Sequence, residues 1–245
     1  MGIFKKFEFI TKPDNAVQSI FRFLSTIIVR SIAWTPITPN HVSILRMIIV
    51  IFALYLFFQG DKSSLFLGVI LFYIFETLDH VDGDLARYKN QKSYLGPLLE
   101  QFIDTWSSRP SNIFGLCFAF GIFNQTESFV GFILFALTVF GRLMWLEYRY
   151  YFGWNDEKNS NPETYATPFS NNLQQSILNF FKILYIWNNS FLLIGALMTS
   201  FSIKIFGIDA IIFGFICVAI INNLTWPYIV TKGFVTAIRF DNDSK

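Results

Sequence analysis

The stretch Asp79–Asp104, DHVDGDLARYKNQKSYLGPLLEQFID, carries five acids in an otherwise apolar chain, and the spacing of four of them is its most informative feature. Asp79 and Asp82 are three residues apart, and Glu100 and Asp104 are four apart. On helices, both spacings put the two side chains on one face. Long apolar sequence flanks the stretch, so two helix ends could gather the four carboxylates at the edge of a membrane. Such a group repels itself and raises its own pKa values unless something positive holds it. A divalent cation bound by hard oxygen ligands meets that need.

Of the 245 residues, 53% are hydrophobic, 31 are Phe and only 15% are charged, against about 25% charged in a soluble domain. The mean hydropathy of +0.45 comes from several apolar blocks. It predicts an all-α, polytopic membrane bundle. Six spans are expected, near 42–58, 64–80, 97–122, 128–148, 176–200 and 208–230. The second can continue as a helix through the motif. Residues 16–34 are apolar, with Arg22 and Arg30 on a separate stripe, which predicts an amphipathic helix in the interface plane. An extra short span is the alternative, disfavoured by the cost of two arginines at mid-depth. No internal repeat or second domain is evident, so residues 1–245 read as one membrane domain.

Six spans return the chain to its starting side. Basic residues then orient it. Lys5, Lys6, Lys12, Arg87, Lys89 and Lys92 and most other basic residues fall on one side, and the opposite loops hold only Lys62 and Lys204. Both termini and the acidic motif are therefore expected in the cytosol. Richness in Ile, Phe, Asn and Lys points to an AT-rich bacterial genome and a bacterial cytoplasmic membrane; the endoplasmic reticulum would be the eukaryotic counterpart. Residues 1–15 are polar and do not read as a cleavable signal. Cys117 and Cys217 lie in apolar blocks and read as packing residues, not as a disulfide or metal pair. Residues 153–175 form a long polar loop, and 240–245 read as a frayed tail.

Small residues accompany the acids. Gly83 and Ala86 leave room for a ligand near the backbone, and Arg87 offers a planar donor suited to phosphate oxygens. Together they describe a site for a metal-bound pyrophosphate, in which the metal neutralises phosphate charge and orients the leaving group. One remaining carboxylate can take the proton of an attacking hydroxyl. An EF-hand is excluded, because counting from Asp79 the third position is Val81 and the twelfth is Asn90.

The pattern D-x2-D-G-x2-A-R-x8-G-x3-E-x3-D resembles the signature of the CDP-alcohol phosphatidyltransferases. The segment Thr38-Pro39-Asn40-His41-Val42-Ser43 also resembles a feature of that family. The resemblance implies that Asp79, Asp82 and Glu100 hold one or two Mg²⁺ or Mn²⁺ ions. Asp104 would be the general base and a further metal ligand. Asn40, Gly83, Ala86, Arg87 and Gly96 would line the CDP and pyrophosphate site. An acceptor hydroxyl would attack the phosphorus bearing the donor alcohol, and CMP would leave. CDP-diacylglycerol is the favoured donor, since its tails can stay in lipid. Glycerol 3-phosphate, inositol or its phosphate, serine, choline and ethanolamine are the acceptors the resemblance allows. It also implies a homodimer with a polar cavity open to the cytosol. This chain departs from the signature at Glu100, where the family has aspartate. The extra methylene would move the carboxylate by on the order of 1 Å, enough to matter at a reacting centre.

Other residues were weighed against blander roles. Asp84 falls outside the signature and is expected to be solvated. His80 and His41 are expected in supporting or solvated roles. Arg109 is expected a little over one turn below Asp104 on the third span, and Arg142 and Glu147 on the fourth. Arg142, and with less support Arg109, are candidates for binding a phosphorylated acceptor. Asn188-Asn189 and Asn222-Asn223 are expected to hydrogen-bond between helices. Trp34, Trp154 and Trp226 read as interface anchors. Two other functions fit parts of the pattern. A cation-coupled transporter would use intramembrane acids, but the far half of the bundle has no titratable partners for a path. A catalytically inactive relative would bind the CDP-lipid without turnover.

Overall fold

A computed structural model describes residues 9–11, 16–91, 95–107, 109–151 and 188–224. The described residues are almost entirely helical: α1 Ala16–Ile32, α2 Pro39–Gln59, α3 Lys62–Tyr88, α4 Leu95–Ser107, α5 Ile113–Thr126, α6 Val130–Tyr151, α7 Asn188–Ser200 and α8 Ala210–Leu224. A two-residue antiparallel ladder, Lys204–Ile205 with Ile208–Asp209, joins α7 to α8. By contacts the chain divides into two compact units, Met1–Ser108 and Arg109–Lys245.

In the first unit, α2 and α3 form an antiparallel hairpin with a two-residue turn. Gly60 closes α2 in the left-handed region (φ 74°), with its N–H bonded to Leu56 O. That backbone conformation suits glycine and costs other residues strain. Asp61 then caps α3, accepting from the Ser63 and Ser64 amides at 3.1 Å each. Its bonds with Ser64, through side chain and amide, hold its carboxyl below the usual carboxylate range. Both helices are long and apolar enough to cross a membrane. α3 has 27 residues, about 40 Å at 1.5 Å per residue. That exceeds a hydrocarbon core of about 30 Å, so its C-terminal turns can carry polar groups beyond it.

The outward faces are apolar. Ile48, Phe52 and Tyr55 of α2 and Leu67, Ile70 and Ile74 of α3 are exposed, while Ser43, Arg46, Thr77 and Asp84 are buried. This inversion suits a surface solvated by lipid. α1 follows the same rule: Ile20, Leu24 and Ile27 face out, and Ser25, Thr26 and Val29 pack inward as α1 lies along α3. Arg30 is exposed, as an interfacial helix predicts, but Arg22 turns inward.

The expected third span, 97–122, is two helices. Pro110 lacks an N–H and disfavours helical geometry at Arg109, and α4 ends at Ser107. Arg109 is thus exposed in the break and not buried a turn below Asp104. In the second unit α5 packs on α6. α6 and α8 meet where Gly141 lies against the Asn222 carbonyl; a Cβ there would sit 2.6 Å from that oxygen. Asn223 Nδ2 donates to Leu137 O of α6 at 2.8 Å, an interhelical amide bond of the expected kind. Cys117 and Cys217 are both free thiols. Among the described residues, α5, α7, α8 and the described side chains of α6 form shorter apolar helices. Residues 176–187 and 225–230 of the expected fifth and sixth spans, the loop 153–175, the tail 240–245, Trp154, Trp226 and the Glu147 side chain lie outside the described residues.

Candidate active site

The hairpin decides which residues meet. Arg46 on α2 and Phe75 on α3 lie the same number of positions from the Gly60–Asp61 turn, so equal helical rise brings them level. The Arg46 Cζ lies 4.7 Å from the centre of the Phe75 ring, within cation–π range. From there its long side chain reaches toward the acids one and two turns further along α3. Nη1 lies 2.8 Å from Asp79 Oδ1 and 3.8 Å from Asp82 Oδ2. Nη2 lies 3.4 Å from Asp104 Oδ1 on α4, a helix that packs on α2. Asp79, Asp82 and Asp104 therefore share one guanidinium, which is only 4% exposed. Arg46 Nε and Nη1 are buried and outside hydrogen-bond geometry, so Nη1 meets Asp79 as an ion pair and not along a hydrogen-bond direction.

The segment Thr38–Ser43 builds the other wall. Thr38 is the N-cap of α2 and Pro39 opens its first turn, where a missing N–H costs nothing. His41 Nδ1 accepts from the Thr38 N–H at 3.2 Å, so this histidine serves as a cap. Ser43 Oγ donates to Asp82 Oδ2 at 3.0 Å. Asn40 Oδ1 is buried with no hydrogen-bond partner. Lys89 ties the end of α3 to the residues just before that segment, donating to Thr35 O and Ile37 O at 2.7 and 2.8 Å.

Glu100 is exposed on α4, four residues before Asp104. Gly96 is in the first turn of α4. Gly83 adjoins the signature arginine: a Cβ there would lie 3.2 Å from Arg87 Nη2. The space left by Gly83 thus takes the Arg87 guanidinium. Ala86, half-buried one residue earlier, ends the same stretch. Arg109 and Arg142 belong to the second unit; Arg142 is buried on α6.

Two expectations fail here for one reason. Asp84 is not solvated but fully buried. It accepts from Thr11 Oγ1 at 2.6 Å, Arg22 Nη1 at 2.9 Å, Ser25 Oγ at 2.7 Å and Arg87 Nη2 at 3.2 Å. Arg22 is accordingly an internal ion-pair partner and not part of a solvated stripe. His80 is half-buried, with Nδ1 3.7 Å from Asp79 Oδ2 and its ring edge-on to Phe21.

Sequence reasoning missed two residues. Arg46 belongs to no motif and reads only as one of the basic residues on the motif's side of the membrane. Glu76 was not weighed at all, although it extends the Asp79–Asp82 stripe by one turn; it lies in the field of Asp79, Arg46 and Asp104.

Three carboxylates against one guanidinium leave two negative charges uncompensated. In charge and in donor chemistry, the set suits a divalent cation. Among the described residues, no three acidic, histidine or cysteine side chains are close enough to enclose one as they stand. Residues 36–203 match the family model for CDP-alcohol phosphatidyltransferases. No curated protein matches the chain.

Proposed function

The chain belongs to the CDP-alcohol phosphatidyltransferase family, and from that premise we propose that it moves a phosphatidyl group from CDP-diacylglycerol to the hydroxyl of a small polar alcohol. The observation that supports this is the convergence of Asp79, Asp82 and Asp104, from two helices, on one buried cation. The acceptor oxygen forms a bond to the phosphorus that carries diacylglycerol. The bond from that phosphorus to the bridging oxygen breaks, and CMP departs with the oxygen. The proton of the acceptor hydroxyl passes to Asp104, whose carboxylate is 52% exposed and so open to a substrate. Arg87, also largely exposed, faces the diphosphate. Asn40 offers its unpartnered acceptor to a hydroxyl or amino group of the cytidine, and Gly96 and Ala86 leave space beside it.

Asp79, Asp82, Glu100 and Asp104 are the side chains that would hold Mg²⁺ or Mn²⁺. A bound ion would neutralise phosphate charge and steady the leaving group. Six membrane spans, a cytosolic site and a homodimer complete the proposal. The inverted polarity of α1, α2 and α3 supports the membrane setting, and a lipid donor explains why such chemistry needs it. Arg142 and Arg109 are proposed to favour a phosphorylated acceptor.

The test is CMP release by the purified protein. CDP-diacylglycerol and a CDP-linked soluble alcohol are offered with each acceptor named above, with Mg²⁺, with Mn²⁺ and with EDTA. Release with one pair, abolished by EDTA, is the expected result. No CMP under any combination would overturn the proposal, and solute flux in sealed vesicles would then favour a transporter.

Glu100 has its own test. Glu100→Asp restores the family's residue and is expected to keep measurable turnover, with a loss of no more than about 100-fold, the scale of a 1 Å displacement. Glu100→Gln removes the charge and is expected to lose most of it. Equal turnover in the two variants would remove Glu100 from the metal set.

A further inference from the structure

The Asp84 network lies outside the chemistry just described, yet one of its members is Arg87. Three donors converge on Asp84 Oδ1, from Thr11, Arg22 and Arg87, and Ser25 holds Oδ2. The Thr11 hydroxyl is used twice. It donates to Asp84 and accepts from Arg87 Nε at 3.0 Å. Arg87 is thus gripped along one edge, through Nε and one Nη2 hydrogen. An arginine has five N–H donors in a fixed plane, so three remain. The side chain is 54% exposed, which leaves those three open to a ligand. Charge points the same way. Two guanidiniums share a single carboxylate, and Arg22 is mostly buried, so the uncompensated positive charge falls at the exposed Arg87 edge.

We propose that Asp84 and Thr11 are positioning residues, which hold the Arg87 guanidinium so that its free edge meets the diphosphate of the CDP-linked donor. The assignment rests on the functional reading above. It brings Thr11, from the segment before α1, to the edge of the donor site, while Ser25 on α1 touches only Asp84. Pre-ordering a long side chain spares its immobilisation on binding, which is worth about two- to tenfold in affinity.

Thr11→Val keeps the shape and removes both hydroxyl bonds, and Thr11→Ser keeps them. Ser25→Ala serves as the control, because Ser25 touches Asp84 but not Arg87. Donor KM and kcat are measured on the full chain in mixed micelles of CDP-diacylglycerol and detergent, along with the melting temperature. The expected result is a donor KM raised about two- to tenfold in Thr11→Val, with acceptor KM unchanged and Thr11→Ser near wild type. Ser25→Ala should lower the melting temperature and leave donor KM unchanged. The assignment is overturned if Thr11→Val leaves donor KM unmoved, or if Ser25→Ala raises it equally. Absence of CMP release from the wild-type chain would overturn the functional reading and this assignment with it. Wild-type turnover with unaltered Thr11→Val kinetics would overturn the assignment alone.

Discussion

Asp104→Asn is expected to lower CMP release by roughly 10²–10⁴-fold, the usual contribution of a positioned general base, while leaving the protein folded. Both halves of this expectation come from geometry. Asp104 is half exposed and lies on a different helix from Asp79 and Asp82, so it can face a substrate that the other two hold. Its contact with Arg46 is the longer of that arginine's two near pairings, 3.4 Å against 2.8 Å for Asp79. An amide of the same shape still fits there and can accept from Nη2, but it cannot take a proton. CMP release and the melting temperature should be recorded on the same preparation. Turnover above a tenth of wild type would take the base role away from Asp104. Loss of turnover with loss of fold would point to Asp104 as a support for Arg46.

The largest expected effect on stability is at Arg46. Arg46→Met fills much of the same volume and removes the charge that Asp79, Asp82 and Asp104 share. Removing one partner from a fully buried ion pair costs about 3–5 kcal/mol; here the water open to Asp79 and Asp104 lowers the cost below that range, and most of what remains falls on Asp82. Asp82, mostly buried and bonded to Ser43, has the least access to solvent of the three. Unfolding in detergent by urea or heat measures the loss. The same titration with Mg²⁺ present tests the charge argument directly. An ion bound at 100 times its Kd would restore about 2.7 kcal/mol. Destabilisation that Mg²⁺ relieves in Arg46→Met more than in wild type is the expected pattern. Identical Mg²⁺ response in both proteins would mean that guanidinium and ion do not answer to the same carboxylates. Arg46→Lys should recover only part of the stability, since an ammonium lacks the planar fork that spans α3 and α4.

Local spacing made part of this site legible. Asp79 and Asp82 share a face of α3 because three residues is nearly one turn, and no tertiary knowledge is needed for that. The failures all involve partners distant in sequence. Asp84 sits in a polar run and reads as solvated because aspartate usually is; the groups that bury it are at positions 11, 22 and 25. Arg46 reads as one more basic residue near a membrane end. Its role appears only when the α2–α3 hairpin is folded about its turn, and Gly60-Asp61 was a visible signal for that turn. Pro110 was equally visible, yet the expected third span ran through it and put Arg109 on a helix that the chain does not continue there. For Glu100 the spacing from Asp104 sets a shared face on α4 and not a distance to α3, so its part in the site rests on the test above.

The bend at Gly60 and Asp61 acts as a ruler for chemistry performed far from it. One residue more between this bend and Asp79 would swing the acids by about 100° around α3 and slide them by about 1.5 Å. Asp79 and Asp82 would then turn away from Arg46. Connecting segments ordinarily absorb changes of length with little consequence. The helical stretch from the bend to the acids has no such slack, because its register is set some 20 Å away by the reach of one arginine, about fourteen helical residues at 1.5 Å each. In evolution this stretch should therefore vary in side chain far more readily than in residue number.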